Sequence, residues 1–345
     1  MRTLVLTDWR ELSIEEAPDP EARPEEVLVR PIATGICGSD VHGYTGENGR
    51  RVLGQVMGHE TVGRVEAVGS KVSDESRPLV GDLVTVNPVI GCGRCPACRE
   101  GQPQACSTKT VVGVSPSYSS AFAELMVAPA SNVIRLPQGT PVEYGALVEP
   151  LSVGYHAARR GGITAGSFVL VIGGGPIGQA CVLAAQRLGA DKVLVSEPVD
   201  HRRTLCSKLG AEVLDPSSVD DVSKAVVDRF GERPAVVLDA VGTVRSLDTA
   251  FACAPLMSTI VLVGMGQQTL EVPAFEVSTK ERAVVGSFCY TPLEFAETAA
   301  WVGNCSQDLS LLVQDRVPLD RADEAFAHLA QGRGDLSKVL VMVQE

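Results

Sequence analysis

The sequence has little concentrated positive charge, no long apolar run and no pattern typical of a targeting signal. Its 30 lysines and arginines face 42 acidic residues, for a formal net charge of -12. Nucleic acids and anionic membranes require clustered positive charge, so neither is expected as a partner. The apolar runs are too short for a membrane helix of about 20 residues, and the first residues lack a secretory signal pattern. We therefore expect a cytoplasmic protein that acts on a small molecule.

Cysteine is plentiful, and four of the ten cysteines lie in one short segment, Cys92, Cys95, Cys98 and Cys106. In the cytosol such clusters bind metal more often than they form disulfides. Four thiolates at this C-x2-C-x2-C-x7-C spacing can close a tetrahedral shell around zinc and leave no position for a substrate, so the site would be structural. An iron–sulfur cluster is the chemical competitor, and free thiols are the remaining alternative.

Along the 345 residues, the pattern of apolar runs and turn residues changes after Pro150, and no internal repeat is found. Residues 1–150 hold short β-type runs bounded by glycine and proline, which indicates an irregular, mostly β domain. These runs are Glu26–Pro31, Gly63–Val68, Leu83–Pro88 and Ala123–Pro129. From Ser167 onward, strands alternate with amphipathic helices. This alternation predicts a doubly wound parallel sheet, because parallel neighbours require crossovers. The fold class is α/β.

The predicted elements of the second part define an inserted nucleotide domain, residues 151–287. Its strands are Phe168–Ile172, Val193–Glu197, Glu212–Asp215, Ala235–Ala240, Thr259–Gly264 and Ala283–Ser287. Its helices include Pro176–Leu188, His201–Leu209 and Val219–Phe230. Residues 288–345 carry helical patterns at Leu293–Val302 and Leu319–Gln331 and a strand at Lys338–Val343. This piece is too short to be a domain alone, so we expect it to join residues 1–150.

A glycine-rich turn follows the first strand of the nucleotide domain. In the segment GGGPIG, Gly173, Gly175 and Gly178 occupy the G-x-G-x-x-G positions. Gly173 permits the tight turn, Gly175 lets the backbone approach a pyrophosphate, and Gly178 allows close packing of helix on strand. The pyrophosphate would lie at the helix N-terminus. Because Pro176 has no N–H, the amide of Ile177 is the preferred donor.

An acidic residue, Glu197, closes the second strand. Its carboxylate can accept hydrogen bonds from the adenosine ribose and would repel a 2′-phosphate, which favours NAD over NADP. Arg202 and Arg203 follow shortly and could instead hold a phosphate. The alternative is a glycine-rich turn in an unrelated α/β domain, with Glu197 a solvated acid.

Three further segments combine metal-binding residue types: GICGSDVH, GHE and VEPLSVGYH. Alone, Cys37 would be read as a small buried residue, His59 as a packed histidine and Glu149 as a turn acid. Together, a thiolate, an imidazole and carboxylates match a catalytic zinc site that keeps one position for water or substrate. We expect the metal site and the nucleotide loop to lie in different domains and to face each other across a cleft.

These segments, the four-cysteine lobe and GGGPIG occur in an order that resembles the medium-chain dehydrogenase/reductase superfamily over essentially the whole chain. The pairing of GHE with VEPLSVG is most similar to its sorbitol (polyol) dehydrogenases. The resemblance implies a GroES-like catalytic domain and a Rossmann domain. It also implies two zinc ions per chain and zinc-assisted hydride transfer between NAD and a secondary alcohol of a polyol, diol or cyclic polyol.

The resemblance also assigns roles to residues. It implies Cys37, His59 and Glu60 as catalytic zinc ligands, with Glu149 a further ligand, direct or through water. Asp40 resembles the carboxylate that orients the zinc-bound histidine. Ser39 matches the hydroxyl that contacts the substrate oxygen, and His42 matches the base that passes the proton outward.

One position departs from the sorbitol dehydrogenases, which carry an arginine where this chain has Cys289 before Tyr290. This departure points to a shorter diol, a cyclic polyol or an amino alcohol as substrate. An L-threonine 3-dehydrogenase-like enzyme and a simple secondary alcohol dehydrogenase are the nearest alternatives. A non-catalytic zinc and nucleotide sensor and a zincless quinone reductase are more distant ones. The apolar strand Ala283–Ser287 can pair across a two-fold axis, which predicts a homodimer or homotetramer.

Overall fold

The computed structural model describes residues 1–47, 49–72, 78–116, 118–332 and 336–344. The chain forms two compact units, the first made of residues 1–149 and 291–345 and the second of residues 150–290. Among the described residues, no helix combines the length and the apolar character needed to cross a membrane.

The strands and helices are numbered here in chain order. The strands are β1 (Arg2–Asp8), β2 (Glu11–Glu16), β3 (Glu26–Gly35), β4 (Glu60–Val68), β5 (Leu83–Val86), β6 (Val89–Ile90), β7 (Thr110–Val111), β8 (Met126–Pro129), β9 (Val133–Arg135), β10 (Phe168–Ile172), β11 (Lys192–Ser196), β12 (Glu212–Leu214), β13 (Val236–Asp239), β14 (Thr259–Leu262), β15 (Ala283–Gly286), β16 (Asp315–Pro318) and β17 (Val339–Met342). The α-helices are α1 (Gly38–Tyr44), α2 (Pro96–Arg99), α3 (Tyr144–Arg160), α4 (Pro176–Arg187), α5 (Asp200–Lys208), α6 (Val222–Phe230), α7 (Val244–Cys253), α8 (Ala274–Thr279), α9 (Pro292–Val302) and α10 (Ala322–Ala330).

The first unit is organised around a sheet with the strand order β16-β17-β3-β4-β5-β9, and β8 also pairs with β3. Strand β17, from the end of the chain, runs antiparallel to β3 with Leu340 opposite Gly35. Helix α10 adds Phe326, whose ring packs against those of Tyr44 and Phe122. The last segment of the chain therefore completes the core of the first unit.

The second unit is a parallel sheet with the strand order β12-β11-β10-β13-β14-β15. Every residue of β10 is buried, as expected for a central strand covered on both faces. The order reverses between β10 and its neighbour β13, which makes the carboxyl ends of these strands the topological switch point where such sheets bind ligands. The predicted α/β class with a doubly wound parallel sheet is confirmed, as is the position of β15 at the sheet edge.

Five of the described helices, α1, α2, α3, α7 and α8, were not predicted, and α3 and α7 are the longest of them. Helix α3 runs through the segment VEPLSVGYH although it contains Pro150, which lacks an N–H and disfavours a helix interior. Gly154 on the same helix approaches Ala180 so closely that a Cβ would lie 2.4 Å from that residue's carbonyl carbon. Helix α7 begins with a capping box between Thr243 and Ser246, whose serine replaces the glutamate or glutamine of the usual sequence signature. The other predicted elements differ from those observed mainly at their ends.

Candidate active site and metal centres

Three metal-ligating side chains converge in the first unit. Cys37, His59 and Glu60 each offer one ligand atom, and these atoms all lie within 4.8 Å of one another. Pairing of β3 with β4 sets Gly35 opposite Glu60, and Cys37 follows two residues after Gly35. A Cβ at Gly35 would lie 2.2 Å from Glu60 Oε2. The glycine therefore makes room for the carboxylate. A thiolate, an imidazole and a carboxylate form a donor set that fits zinc.

Asp40 lies beside the imidazole of this group. It is completely buried, and its Oδ1 is 3.4 Å from His59 Nδ1. Since Nδ1 faces Asp40, Nε2 is the nitrogen available to a metal. Burial opposes ionisation of Asp40, but the charges of His59 and Arg51 hold its pKa below the usual value. Burial likewise opposes a raised pKa of His59, yet Asp40 and Cys37 raise it well above the ordinary value. A metal ion bound at Nε2 would displace that proton.

Lys338 forms a second buried ion pair in this region, which the sequence analysis missed. Its Nζ lies 2.5 Å from Glu60 Oε2 and 3.2 Å from the carbonyl oxygen of Ile36. Burial would lower the pKa of Lys338, but Glu60, Cys37 and Glu149 raise it. The only available signal was a lysine at the start of an apolar strand, where buried charge requires a partner.

The remaining predicted residues of this site occupy different environments. Glu149 is buried on α3 and close enough for its charge to raise the pKa of Lys338, but it lies outside the group of three ligand atoms within 4.8 Å. Ser39 is half-buried on α1. His42, on the same helix, is exposed, with Nδ1 3.4 Å from Glu47 Oε2.

The four predicted lobe cysteines form a second cluster, again with their sulfur atoms within 4.8 Å of one another. An N–H from Cys92 and the hydroxyl of Thr108 lower the pKa of the Cys106 thiol to about 6. Burial raises the pKa of Cys98 to about 11. Thiolate character is what metal binding requires. Four sulfur ligands fill a tetrahedral coordination shell and leave no open position for water or substrate. The cluster therefore fits a structural zinc ion.

The glycine-rich turn of the second unit has the geometry expected of a dinucleotide loop. Gly173 has φ 94°, and a Cβ at Gly178 would lie 1.8 Å from the Gly173 carbonyl oxygen. A Cβ at Gly175 would meet open space, where the backbone is accessible to a ligand. Helix α4 then starts at Pro176 and Ile177, so the N–H of Ile177 is among the free donors of its first turn.

Glu197 lies directly beneath this loop. Its two carboxylate oxygens accept hydrogen bonds from the N–H groups of Gly174, at 2.6 Å, and Val199, at 2.8 Å. Arg203 donates to the carbonyl oxygens of residues 197 and 198 and pairs with Asp200. Arg202 differs, because its buried Nε has no hydrogen-bond partner among the described residues. Of the two arginines, Arg202 is therefore the less committed to the fold.

A second tightly packed loop region at the switch point, around Asp239, was not predicted from the sequence. The buried carboxylate of Asp239 accepts N–H hydrogen bonds from Val241 and Gly242 and a hydroxyl bond from Ser246. A Cβ at Gly242 would lie 2.2 Å from the Gly264 carbonyl oxygen. The loops after β13 and β14 therefore pack backbone against backbone. The glycines and the strand-end Asp239 were visible in the sequence, but their mutual approach was not.

Comparison with known proteins gives this geometry its context. Residues 23–138 match the family described as alcohol dehydrogenase GroES-like domain, and residues 176–304 match the family described as zinc-binding dehydrogenase. The sorbitol dehydrogenase of Bombyx mori is 33% identical, over 99% of this chain and 98% of that protein. The chain belongs to the zinc-binding dehydrogenases. Within this family it falls in the sorbitol (polyol) branch, as the resemblance predicted.

Solved structures agree with that membership. A protein of Sinorhizobium meliloti 1021 described as a zinc-binding dehydrogenase, solved with NADP, has a TM-score of 0.90 at 30% identity, covering 99% of this chain and 98% of its own. Galactitol-1-phosphate dehydrogenase of Escherichia coli has a TM-score of 0.90 at 27% identity, covering 99% and 100%. The predicted zinc-dependent polyol oxidoreductase with a nicotinamide cofactor is confirmed at this level.

Proposed function

We propose that this zinc-binding dehydrogenase oxidises a secondary alcohol of a polyol, short diol or cyclic polyol, with NAD as the hydride acceptor. The observation that carries the proposal is the convergence of Cys37, His59 and Glu60 from separate segments, with ligand atoms within 4.8 Å. Cys289 stands where the sorbitol dehydrogenases have an arginine that helps to hold a long polyol. We therefore favour a substrate with fewer hydroxyl groups than a hexitol.

Oxidation of a secondary alcohol removes a hydride from carbon and a proton from oxygen. Zinc held by Cys37, His59 and Glu60 would supply the Lewis acidity that lowers the pKa of the alcohol, and NAD held at the glycine loop would supply the hydride acceptor. Ser39 contacts the substrate hydroxyl and passes its proton on. His42 is exposed beside Glu47, so its imidazole can release that proton to water. Asp40 orients the ring of His59. Glu149 supplies a further carboxylate near the metal site, as a ligand of zinc either directly or through water.

We propose NAD rather than NADP because Glu197 is a buried carboxylate held by the backbone N–H groups of Gly174, in the glycine loop, and of Val199. A fixed negative charge at this place repels a 2′-phosphate. The pyrophosphate would lie against Gly175 and the Ile177 amide. Arg202 is the one nearby cation whose Nε is unpaired among the described residues, and it is the residue on which acceptance of NADP would depend.

We also propose that the chain forms a homodimer or homotetramer in the cytoplasm. Strand β15 ends the sheet of the second unit, and a strand edge with no neighbouring strand is a template for a second copy. Four large apolar side chains of the same unit are more than 60% exposed, Leu256, Met257, Met265 and Phe275. Burial of such side chains between copies would be favourable.

The test is a substrate panel of polyols, short diols, cyclic polyols, L-threonine and simple secondary alcohols, read by NADH absorbance. We expect the highest kcat/KM with a diol or polyol and NAD.

Cys37→Ala should reduce kcat by at least about a thousandfold without loss of fold, because loss of a metal ligand removes the Lewis acid. Cys305→Ala, which changes a cysteine outside both clusters, is the matched control. Near-normal turnover by Cys37→Ala would overturn the assignment.

A further inference from the structure

Arg51 is a buried arginine with no assigned role. It lies in the segment that leads to His59 and Glu60, and its side chain is 1% exposed. Its Nη2 is 3.1 Å from Asp40 Oδ1, the same carboxylate oxygen that faces His59 Nδ1. Its Nε and Nη1 have no hydrogen-bond partner within the described part of the chain. Apart from Asp40, little therefore compensates the burial of this guanidinium.

Gly43 provides the space through which Arg51 reaches the site. It lies on α1, three residues after Asp40 and therefore on the same side of the helix. A Cβ at Gly43 would lie 2.4 Å from Arg51 Cγ, an atom near the base of the side chain that cannot move aside without carrying the guanidinium with it. Glycine in a helix interior is unfavourable compared with alanine, so the passage of Arg51 gives a physical reason for this glycine.

The charges around the candidate zinc site explain why a buried cation is needed there. Asp40 and Glu60 are both almost completely buried; Asp40 pairs with Arg51 as well as His59, and Glu60 pairs with Lys338. Lys338 reaches the ligand Glu60 directly. Arg51 instead reaches the ligand His59 through Asp40, because Asp40 Oδ1 lies between the guanidinium and the imidazole.

We infer that Arg51 is a positioning residue for the catalytic metal. It anchors the carboxylate of Asp40, which in turn sets the direction of the His59 ring, and Gly43 keeps the path open. This inference rests on the proposed zinc site. The competing explanation is an ordinary buried ion pair that supports the fold and has no influence on metal binding.

Release of zinc to a chelating dye distinguishes the two explanations. The protein as purified should hold two zinc ions, and Cys37→Ala identifies the kinetic phase of the catalytic ion. In Arg51→Met that phase should accelerate about tenfold, since partners that orient metal ligands typically contribute 10–100-fold in metal affinity. Release from the four-cysteine lobe should not change. Arg51→Lys, which keeps the charge, should give an intermediate rate.

Arg282→Met is the matched control for loss of a buried guanidinium. Arg282 is 3% exposed in its side chain and pairs with Glu276 in the second unit. Arg282→Met should lower the midpoint of thermal unfolding without accelerating release of the catalytic zinc ion. Equal acceleration in Arg51→Met and Arg282→Met would show a general effect of destabilisation and would overturn the inference.

Gly43→Ala provides an independent test if Arg51→Met folds poorly. It should accelerate catalytic zinc release by displacing Arg51, whereas in an Arg51→Ala background it should have no further effect. Additive effects of Gly43→Ala and Arg51→Ala on the release rate would overturn the inference. So would zinc release within twofold of the wild-type rate in each of these two single variants. Failure of the proposed function has a different signature, because the wild-type protein would then lack the second zinc ion.

Discussion

Single residues of the candidate catalytic site are placed by contacts that cross long stretches of chain. Lys338 is 278 residues from Glu60, yet their side chains form a buried pair. The pair depends on β3 lying between β17 and β4, which brings the start of β17 beside the start of β4. Glu60 lies in a recognisable motif, whereas Lys338 belongs to none.

Lys338→Met should destabilise the protein because it removes the buried cation that pairs with Glu60 Oε2. Removal of one member of a buried ion pair costs about 3–5 kcal/mol, and we expect a loss near the lower figure in urea unfolding. Arg30→Met, which breaks an exposed pair with Glu66, should cost less than about 1 kcal/mol. If both variants lose the same stability, the pair with Lys338 is not buried in solution.

Glu197→Gln tests the proposed coenzyme preference. The change removes the negative charge and keeps the size of the side chain, so repulsion of a 2′-phosphate should be relieved. We expect the ratio of kcat/KM for NAD to that for NADP to fall at least about tenfold, equivalent to 1.4 kcal/mol. Glu212→Gln, an exposed carboxylate on the neighbouring strand β12, should leave the ratio unchanged. An unchanged ratio in Glu197→Gln would argue against the role of Glu197.

At the scale of elements, the two metal centres differ in how much the fold supports them. The three proposed catalytic ligands lie just after β3 and at the start of β4, in a unit with a large core. In the lobe, residues 91–106, only Gln104 and Cys106 are buried, and α2 is a single turn. So little burial cannot offset the entropy of ordering the chain, which leaves metal binding as the main source of order.

Cys95→Ser should therefore unfold the four-cysteine lobe, residues 91–106. We expect amide hydrogens of residues 91–106 to exchange at close to the rates of an unfolded peptide, because loss of one ligand weakens the structural zinc site. Strands β10 and β13 in the second unit serve as the internal reference and should remain protected. Continued protection of the lobe in Cys95→Ser would show that protein contacts alone hold it. Mass spectrometry of exchanged peptides gives both readings.

At the scale of the whole molecule, the edge strand β15 carries the prediction of assembly. Ala283 N donates to Ser258 O, and Ser287 N donates to Leu262 O. In a parallel strand alternate residues face the same neighbour, so the N–H of Gly286 points away from β14, on the side where the Gly286 carbonyl oxygen accepts a hydrogen bond from Arg160 Nε. A Cβ at Gly286 would meet open space, so alanine is tolerated there.

Gly286→Pro should convert the oligomer to a smaller species, because proline removes an edge N–H that a second copy would use. The change should leave the β14–β15 ladder intact, since that N–H does not belong to it. Gly286→Ala keeps the N–H and should retain the native assembly. Analytical ultracentrifugation distinguishes these outcomes, and an unchanged sedimentation coefficient in the proline variant would rule out pairing through this edge.

Local patterns were sufficient to predict the parallel sheet, the glycine turn and the four-cysteine cluster, because each depends on residues close together in the chain. The segments that supply Cys37, His59 and Glu60 were recognised by their motifs, and their individual roles as ligands stay predictions. Only the tertiary structure revealed Arg51 beside Asp40, Lys338 beside Glu60 and the helix that continues through Pro150. Strand register and packing between distant segments decide those contacts, and neither is encoded in any single stretch of sequence.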